Sequence, residues 1–342
     1  MFRAYVTVTR NSWMVNENCE VITIKKAIAI LIVMILVLAL LAGLAFAAVL
    51  HYSAKLNREV FPETELSFNE LFSNVGSKAV TNILLIGVDN DNMAGMQDLG
   101  NADGLILVSI NKDTKQIVLT SFMRDIKVEL PEGGYTKLTS SYHKGGTPML
   151  IETMEKNFGV PIDSYVLVNY LNVVEIIDAV GGITMDVTAD ELYHMEIKIR
   201  NINGLLGLDP NANMIPPENA GTLTLNGVQT AAYLRVRMAG NNDVERTERA
   251  RNVLPKLKDK LLEMSASELN SFANTALPCI TTDMDQGDIL KLMLGAVGYM
   301  NYEMLSNRVP VDDSYYYSQD GNAFVVIDYD VNRAALQNII YN

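Results

Sequence analysis

Asn82-Ile83-Leu84-Leu85-Ile86-Gly87-Val88-Asp89 is a short, continuous apolar run closed by one carboxylate. Its length and its Ile and Val content predict a strand over Asn82–Val88 in a largely covered sheet. Similar runs recur at Leu105–Ile110, Gln116–Phe122, Tyr165–Asn169, Ile183–Val187 and Phe324–Tyr329. Helix-like patterns lie between or beyond them, at Pro148–Phe158, Leu171–Val180, Asn226–Tyr233, Asp243–Met264 and Gln286–Met300. Strands interleaved with helices of this length predict an α/β fold, a mixed central β-sheet flanked by helices. Leu254, Leu257, Leu261 and Met264 recur at helical spacing and predict a core-facing stripe. Pro255 lies inside that pattern, which predicts a kink or a later helix start.

Ligand sites in open α/β sheets collect at the carboxyl ends of strands. Asp89 ends the first strand and Asp103 precedes the second, after the Gly- and Asn-rich loop 90–101. Two hard carboxylates beside a phosphate are what Mg²⁺ requires, whereas turn-capping aspartates explain the same spacing structurally. Arg124-Asp125 follows the third strand, again at its carboxyl end, and reads either as a site pair or as a structural ion pair. Lys137 to Gly146 forms a further patch with Tyr142, in which Gly145-Gly146 allows close backbone approach to a ligand or simply makes a turn.

The chain carries a formal charge of -13, yet Arg235, Arg237, Arg246, Arg249 and Arg251 fall within one short stretch. A focused basic cluster on an acidic background points to a local anion, with phosphate the leading candidate, because the guanidinium fork matches its oxygens. Glu245 and Glu248 are interleaved and leave open the reading of a solvated helix face. A helix start at Asp243 adds unpaired N–H groups suited to phosphate, and Asp243 also reads as an ordinary N-cap. The acidic composition excludes a general nucleic-acid binder, which carries broad basic patches.

Ala27–Leu50 is an uncharged, almost wholly apolar run. As a helix rising about 1.5 Å per residue it spans a bilayer core of about 30 Å. Arg3, Arg10, Lys25 and Lys26 precede it and only Lys55 and Arg58 follow within the next twenty residues. The positive-inside rule therefore predicts a cytoplasmic tail (1–26), a transmembrane anchor (27–50), a polar stalk (51–78) and an exported domain (79–342). Ala45-Phe46-Ala47 resembles a cleavage site, but the leader and apolar core are long for a signal peptide. This topology separates Cys19 from Cys279, so the exported domain is expected to need no disulfide.

Ser141-Tyr142-His143-Lys144 matches the Ser-x-x-Lys pattern of penicillin-binding acyl transferases, although no Lys-Thr-Gly follows. His51, His143 and His194 show no metal spacing.

In chain order, Asn82 to Asp89, Ala102-Asp103, Ser121 to Asp125, Lys137 to Gly146, Val180 to Val187, Leu225 to Tyr233, and Arg235-Val-Arg237 followed by Asp243 to Arg249 resemble the LytR-CpsA-Psr family of cell-envelope enzymes. The resemblance covers about Lys78 to Leu262 closely and the remainder loosely. It implies an α-β-α catalytic domain in a single-pass type II protein of the bacterial cell membrane. The implied reaction moves a teichoic acid, capsular or related glycopolymer from an undecaprenyl pyrophosphate carrier to the C6 hydroxyl of a muramic acid in peptidoglycan. By the same resemblance Asp89 and Asp103 hold Mg²⁺ and act in catalysis with Arg124. Arg124, Arg235, Arg237 and Arg246 cage the pyrophosphate, with Lys137 and Arg249 in the same motifs. The family's polyprenyl tail lies in an apolar tunnel, for which parts of Val166–Val180 and Leu254–Met264 are the matching walls, or else simple core. Asn101, Gly104, Thr139 and Ala250 depart from residues frequent in the family, namely Arg, Thr, Asn and Gln. A membrane-anchored protein that binds polyprenyl phosphates without turning them over is the alternative expectation.

Overall fold

The computed structural model describes residues 47–48, 50–60, 79–89, 99–236, 243–319, 321 and 323–342. It divides into two units, Met1–His51 and Tyr52–Asn342. Residues 1–46 and 49, which include nearly all of the expected anchor, lie outside the described residues, as do 61–78 of the expected stalk. Among the described residues no helix is long and apolar enough to cross a membrane.

The central sheet has seven strands: β1 (Asn57–Arg58), β2 (Val80–Val88), β3 (Ala102–Asn111), β4 (Gln116–Phe122), β7 (Ser164–Asn169), β10 (Thr281–Thr282) and β11 (Glu303–Val309). Their order is β1-β10-β7-β2-β3-β4-β11. The pairs β1/β10, β7/β2 and β4/β11 are parallel and the others antiparallel, so the sheet is mixed as expected. Three ribbons lie outside it: β5 (Lys127–Glu129) with β6 (Tyr135–Lys137), β8 (Ile183–Val187) with β9 (Gly221–Leu225), and β12 (Tyr315–Tyr317) with β13 (Val325–Ile327). The helices are α1 (Leu138–Phe158), α2 (Tyr170–Ala179), α3 (Ala189–Leu205), α4 (Gly227–Leu234), α5 (Asp243–Glu263), α6 (Ala266–Ala276), α7 (Gln286–Tyr299) and α8 (Tyr329–Tyr341).

Side chains alternate between the faces of a strand, and β2 uses both faces for core. Leu84 and Ile86 join Leu105, Leu107 and Phe122 under Leu138, Leu150, Met154 and Phe158 of α1 and Leu336 and Ile340 of α8. Ile83 and Leu85 face the other way, toward Ile289 and Leu292 of α7. A separate apolar cluster joins α2, α3, α4, the β8/β9 ribbon and α5. Leu171, Val174, Ile177 and Val180 meet Leu257, Leu261 and Met264 there, so the two segments read as tunnel walls share one apolar cluster.

Several expected elements have different limits, each for a local reason. The helix expected from Pro148 extends back to Leu138 across a break at Gly145-Gly146, where Gly146 adopts φ 69°, ψ -157°. The strand expected over Phe324–Tyr329 ends at Ile327, because the Asp328 carboxylate accepts the Asp330 and Val331 N–H groups and starts α8. Ile183–Val187 is a strand, but in the ribbon with β9 rather than in the central sheet. Pro255 does not end α5, which continues to Glu263 with Leu257 and Leu261 packed against the α2–α4 cluster. Asn57 and Arg58, within the expected stalk, pair with Thr281 and Thr282 at the sheet edge.

The approach of α2 to α4 depends on Gly227. Its N–H donates to Asp178 Oδ1 at 2.7 Å, and a Cβ there would lie 2.2 Å from the Val174 carbonyl oxygen. Gly227→Ala is predicted to destabilise the domain by about 3 kcal/mol through overpacking. Urea unfolding of the full chain checks this, and an unchanged midpoint would show that the two helices do not meet there.

Candidate functional site

The site gathers where β2, β3 and β4 end and α5 begins. The β2/β3 pairing shifts register between Gly87 and Val88, which brings Asp89 beside Asn101. The Asp89 N–H donates to the Asn101 carbonyl at 3.1 Å, and the Asn101 N–H donates to Asp89 Oδ1 at 2.6 Å. Asp103 lies just inside β3, which begins at Ala102, three residues before the expected start at Leu105. Its carboxylate is shared by two guanidiniums: Arg124 Nη1 at 3.0 Å from Oδ1 and Arg246 Nη2 at 3.4 Å from Oδ2. Arg246 Nη2 also donates to the Asp103 backbone carbonyl. Thr139 Oγ1, in the first turn of α1, lies 3.4 Å from Asp103 Oδ1. Thr139 therefore takes part in the site, a role that the sequence comparison with Asn did not bring out.

Arg124 and Lys137 are tied together through Asp125. Arg124 Nε is 3.6 Å from Asp125 Oδ2, and Lys137 Nζ is 3.1 Å from Oδ1. The local fold sets this up: the Leu138 and Thr139 N–H groups donate to the carbonyls of Ile126 and Arg124, which lays the start of α1 against the end of β4. Asp103, Arg124, Asp125 and Lys137 thus form a chain of alternating charge. Such a network holds like-charged groups close together until an anionic ligand arrives.

Arg235 stands apart from that network. It caps α4 and stacks on Tyr170, with the guanidinium carbon 4.2 Å from the ring centroid. Its Nη1 is buried with no hydrogen-bond partner among the described residues. Tyr170 and Arg235 line a cavity of about 400 Å³ with Arg200, Asn201, Gly204 and Leu205 of α3. A buried guanidinium N–H without an acceptor costs free energy unless a ligand oxygen completes it. Arg200 contributes a second guanidinium to the lining, itself held by Glu196 at 2.9 Å and by Asn211 at 2.6 Å. Arg200 did not stand out in the sequence because helix α3 was not recognised there, and Tyr170 did not because it falls between the expected strand Tyr165–Asn169 and the expected helix Leu171–Val180.

Arg249 takes a different position from the one its motif suggests. Only 3% of its side chain is exposed, and all three guanidinium nitrogens have protein acceptors. Nε is 2.8 Å from Glu191, Nη2 is 3.1 Å from Glu245, and Nη1 donates to the Val236 carbonyl at 3.0 Å. Glu191 also closes the capping box of α3 with Thr188, so Arg249 joins α3, α5 and the end of α4. Arg237 lies outside the described residues, and α5 opens at Asp243.

Ser141 is fully buried and its hydroxyl donates to the Leu138 carbonyl at 2.7 Å, while Lys144 is exposed. The Ser-x-x-Lys pattern is therefore a coincidence of helix surface and core. Among the described residues no three His, Cys, Asp or Glu side chains converge as a metal site. Asp89 and Asp103 lie on neighbouring strands, one past the end of β2 and the other near the start of β3, and their carboxylates supply hard oxygens of the kind that Mg²⁺ takes.

The chain is 28% identical over 301 residues to the polyisoprenyl-teichoic acid--peptidoglycan teichoic acid transferase TagU of Enterococcus faecalis, covering 86% of this chain and 92% of that one. Its fold matches the solved structure of protein gbs0355 from Streptococcus agalactiae with a TM-score of 0.62 at 24% identity, over 81% of this chain and 90% of that one. It also matches TagT bound to LIIa-WTA, with a TM-score of 0.59 at 20% identity, over 77% and 90% of the two chains. The LytR_cpsA_psr family model matches residues 49–338, and the chain belongs to that family.

Proposed function

We propose that this protein transfers a glycopolymer from a polyprenyl diphosphate carrier, undecaprenyl pyrophosphate, to peptidoglycan, and leaves a phosphodiester link. The observation that carries this reading is Asp103 held between Arg124 and Arg246 at the strand ends, with Arg235 presenting a buried N–H that lacks an acceptor among the described residues. The TagU relative, named for transfer of teichoic acid to peptidoglycan, supports the same reading. Residues 27–50 would anchor the chain in a bacterial cell membrane as a single-pass type II protein, with the catalytic domain outside, supported by the apolar run and its basic N-terminal flank.

In the transfer, the acceptor hydroxyl oxygen forms a bond to the phosphorus that carries the polymer. The bond from that phosphorus to the bridging oxygen breaks, and polyprenyl phosphate leaves with the electron pair. Arg124, Arg235 and Arg246 neutralise charge on the diphosphate, and their fixed positions favour the more dispersed charge of the transition state. Asp103, whose carboxylate is shared by two guanidiniums, acts by positioning them. Asp89 accepts one backbone N–H through Oδ1, and the hydroxyl proton goes to its carboxylate. Mg²⁺ fits the hard donor pair of Asp89 and Asp103, and when bound it would supply further neutralisation of the diphosphate. Arg249 orients the start of α5 through Glu191 and Glu245 instead of touching the substrate.

Two outcomes check this. Asp103→Ala should lower transfer of labelled polymer to peptidoglycan by about a hundredfold or more, while carrier binding changes far less. Undiminished turnover would sink the mechanism, and tight carrier binding by the unsubstituted chain without transfer would favour a carrier-binding protein. Arg235→Gln should weaken inorganic pyrophosphate binding by about tenfold, measured calorimetrically, since it removes a charge-assisted hydrogen-bond donor. Equal affinity would place the diphosphate elsewhere.

A further inference from the structure

Arg251 and Arg308 meet beside β4 and β11, next to the transfer site but outside it. Arg251 projects from α5 five residues beyond Arg246, about 7.5 Å along the helix. Its Nε donates to Ser306 Oγ at 2.7 Å, and its Nη1 donates to Ser121 Oγ. Ser121 pairs with Arg308 in the β4/β11 register, which sets the second guanidinium beside the first. Arg308 directs Nη2 to Asp312 and lies with its guanidinium carbon 5.8 Å from the Tyr315 ring centroid. Its Nη1 is buried with no hydrogen-bond partner among the described residues.

The charge balance here differs from that along the rest of α5. Arg246 is matched by Asp103, and Arg249 by Glu191 and Glu245. Arg251 has two neutral hydroxyls as acceptors, and among the described residues no carboxylate reaches it at ion-pair distance. Burial, and then the like charge of Arg308, pull its pKa below the usual arginine value, while Glu248 opposes the shift. Among the described residues the carboxylate that pairs with Arg308 is that of Asp312, which is 88% exposed, so solvent screens much of its attraction. Two guanidiniums with two hydroxyls and a buried unused N–H make a receptor for an oxyanion.

We propose that Arg251, Arg308, Ser121 and Ser306 form a second oxyanion subsite, which takes a phosphate of the transferred polymer beyond the diphosphate linkage. The proposal rests on the transferase reading above. Ser121 opposes Ile106, which is three residues along β3 from Asp103, so the two sites lie about 10 Å apart. A polymer with phosphodiester-linked repeats can reach both with one chain, whereas a neutral polysaccharide leaves the second site unfilled. The subsite would therefore favour anionic polymers over neutral ones at the donor step.

The test uses the full chain in detergent micelles and two synthetic polyprenyl diphosphate donors with the same linkage sugar, one with phosphodiester repeats and one with neutral repeats. In Arg251→Gln and Arg308→Gln the ratio of KM for the phosphate-bearing donor to KM for the neutral donor should rise about tenfold. Arg251→Lys and Arg308→Lys, which keep the charge, should retain part of the preference and serve where the glutamine variants fail to fold. An equal change for both donors would overturn the proposal and leave a structural role. A change that follows amidation of acceptor carboxylates instead of donor phosphates would also overturn it. If the unsubstituted chain turns over neither donor, the transferase reading fails. Binding of a fluorescent glycerol phosphate oligomer then decides the subsite alone: weaker binding in the variants supports it, and equal binding overturns it.

Discussion

The Asp103 carboxylate is the constraint on which the site depends. It is shared by Arg124, at the end of β4, and Arg246, in the first turns of α5. All three side chains are largely withdrawn from water, so removing one member of such a set leaves charge uncompensated, at a cost of about 3 to 5 kcal/mol. The same carboxylate is what allows two cations to be held close together before any substrate arrives. For the diphosphate proposed as substrate, the guanidiniums are already oriented, and little side-chain entropy remains to be lost.

The arginines of the 235–251 stretch divide the work according to their neighbours. Arg235 is stacked on an aromatic ring and has an incomplete set of acceptors, as suits a ligand contact. Arg246 bridges helix and sheet through the carbonyl and carboxylate of Asp103. Arg249 is saturated by protein groups and works as a structural clamp between α3 and α5. Spacing along the chain could not separate these roles. The glutamate that decides the role of Arg249, Glu191, is 58 residues away.

Strands such as Gln116–Phe122 and Ile183–Val187 were legible to the residue, because short runs of branched apolar side chains have few other solutions. The placement of Ile183–Val187 in a separate ribbon was not legible, since period-two patterning says nothing about which strand is the partner. Helix α3 escaped notice because polar and charged residues are mixed along it, while its start depends on the Thr188–Glu191 box rather than on any apolar stripe. The first turns of α1 were read as loop, since Gly145-Gly146 dominates that stretch and the helix resumes only after the break. Strand β11 and helix α8 were missed for a different reason. Glu303–Val309 contains Ser306, Asn307 and Arg308, so its strand character comes from pairing with β4 along its full length and not from its own composition. At the site, Asp89, Asp103, Arg124 and Arg246 were legible as a set, whereas Thr139, Tyr170 and Arg200 gain their roles only from the tertiary arrangement.

The pairing of Asn57–Arg58 with Thr281–Thr282 has a mechanical consequence. Tyr52 Oη, Lys55 Nζ and Asn57 Nδ2 bond to Asn270, Asn274 and the Pro278 carbonyl, so the first residues of the domain run beside α6 and then along the sheet edge. Tension applied to the chain ahead of Tyr52 would load these contacts together, in shear along the strand, and would not peel them off one by one. The domain is therefore held by its edge strand as by a seam, and force on the chain ahead of Tyr52 is spread into β10 and β7 before it can reach the strand ends that carry Asp89 and Asp103.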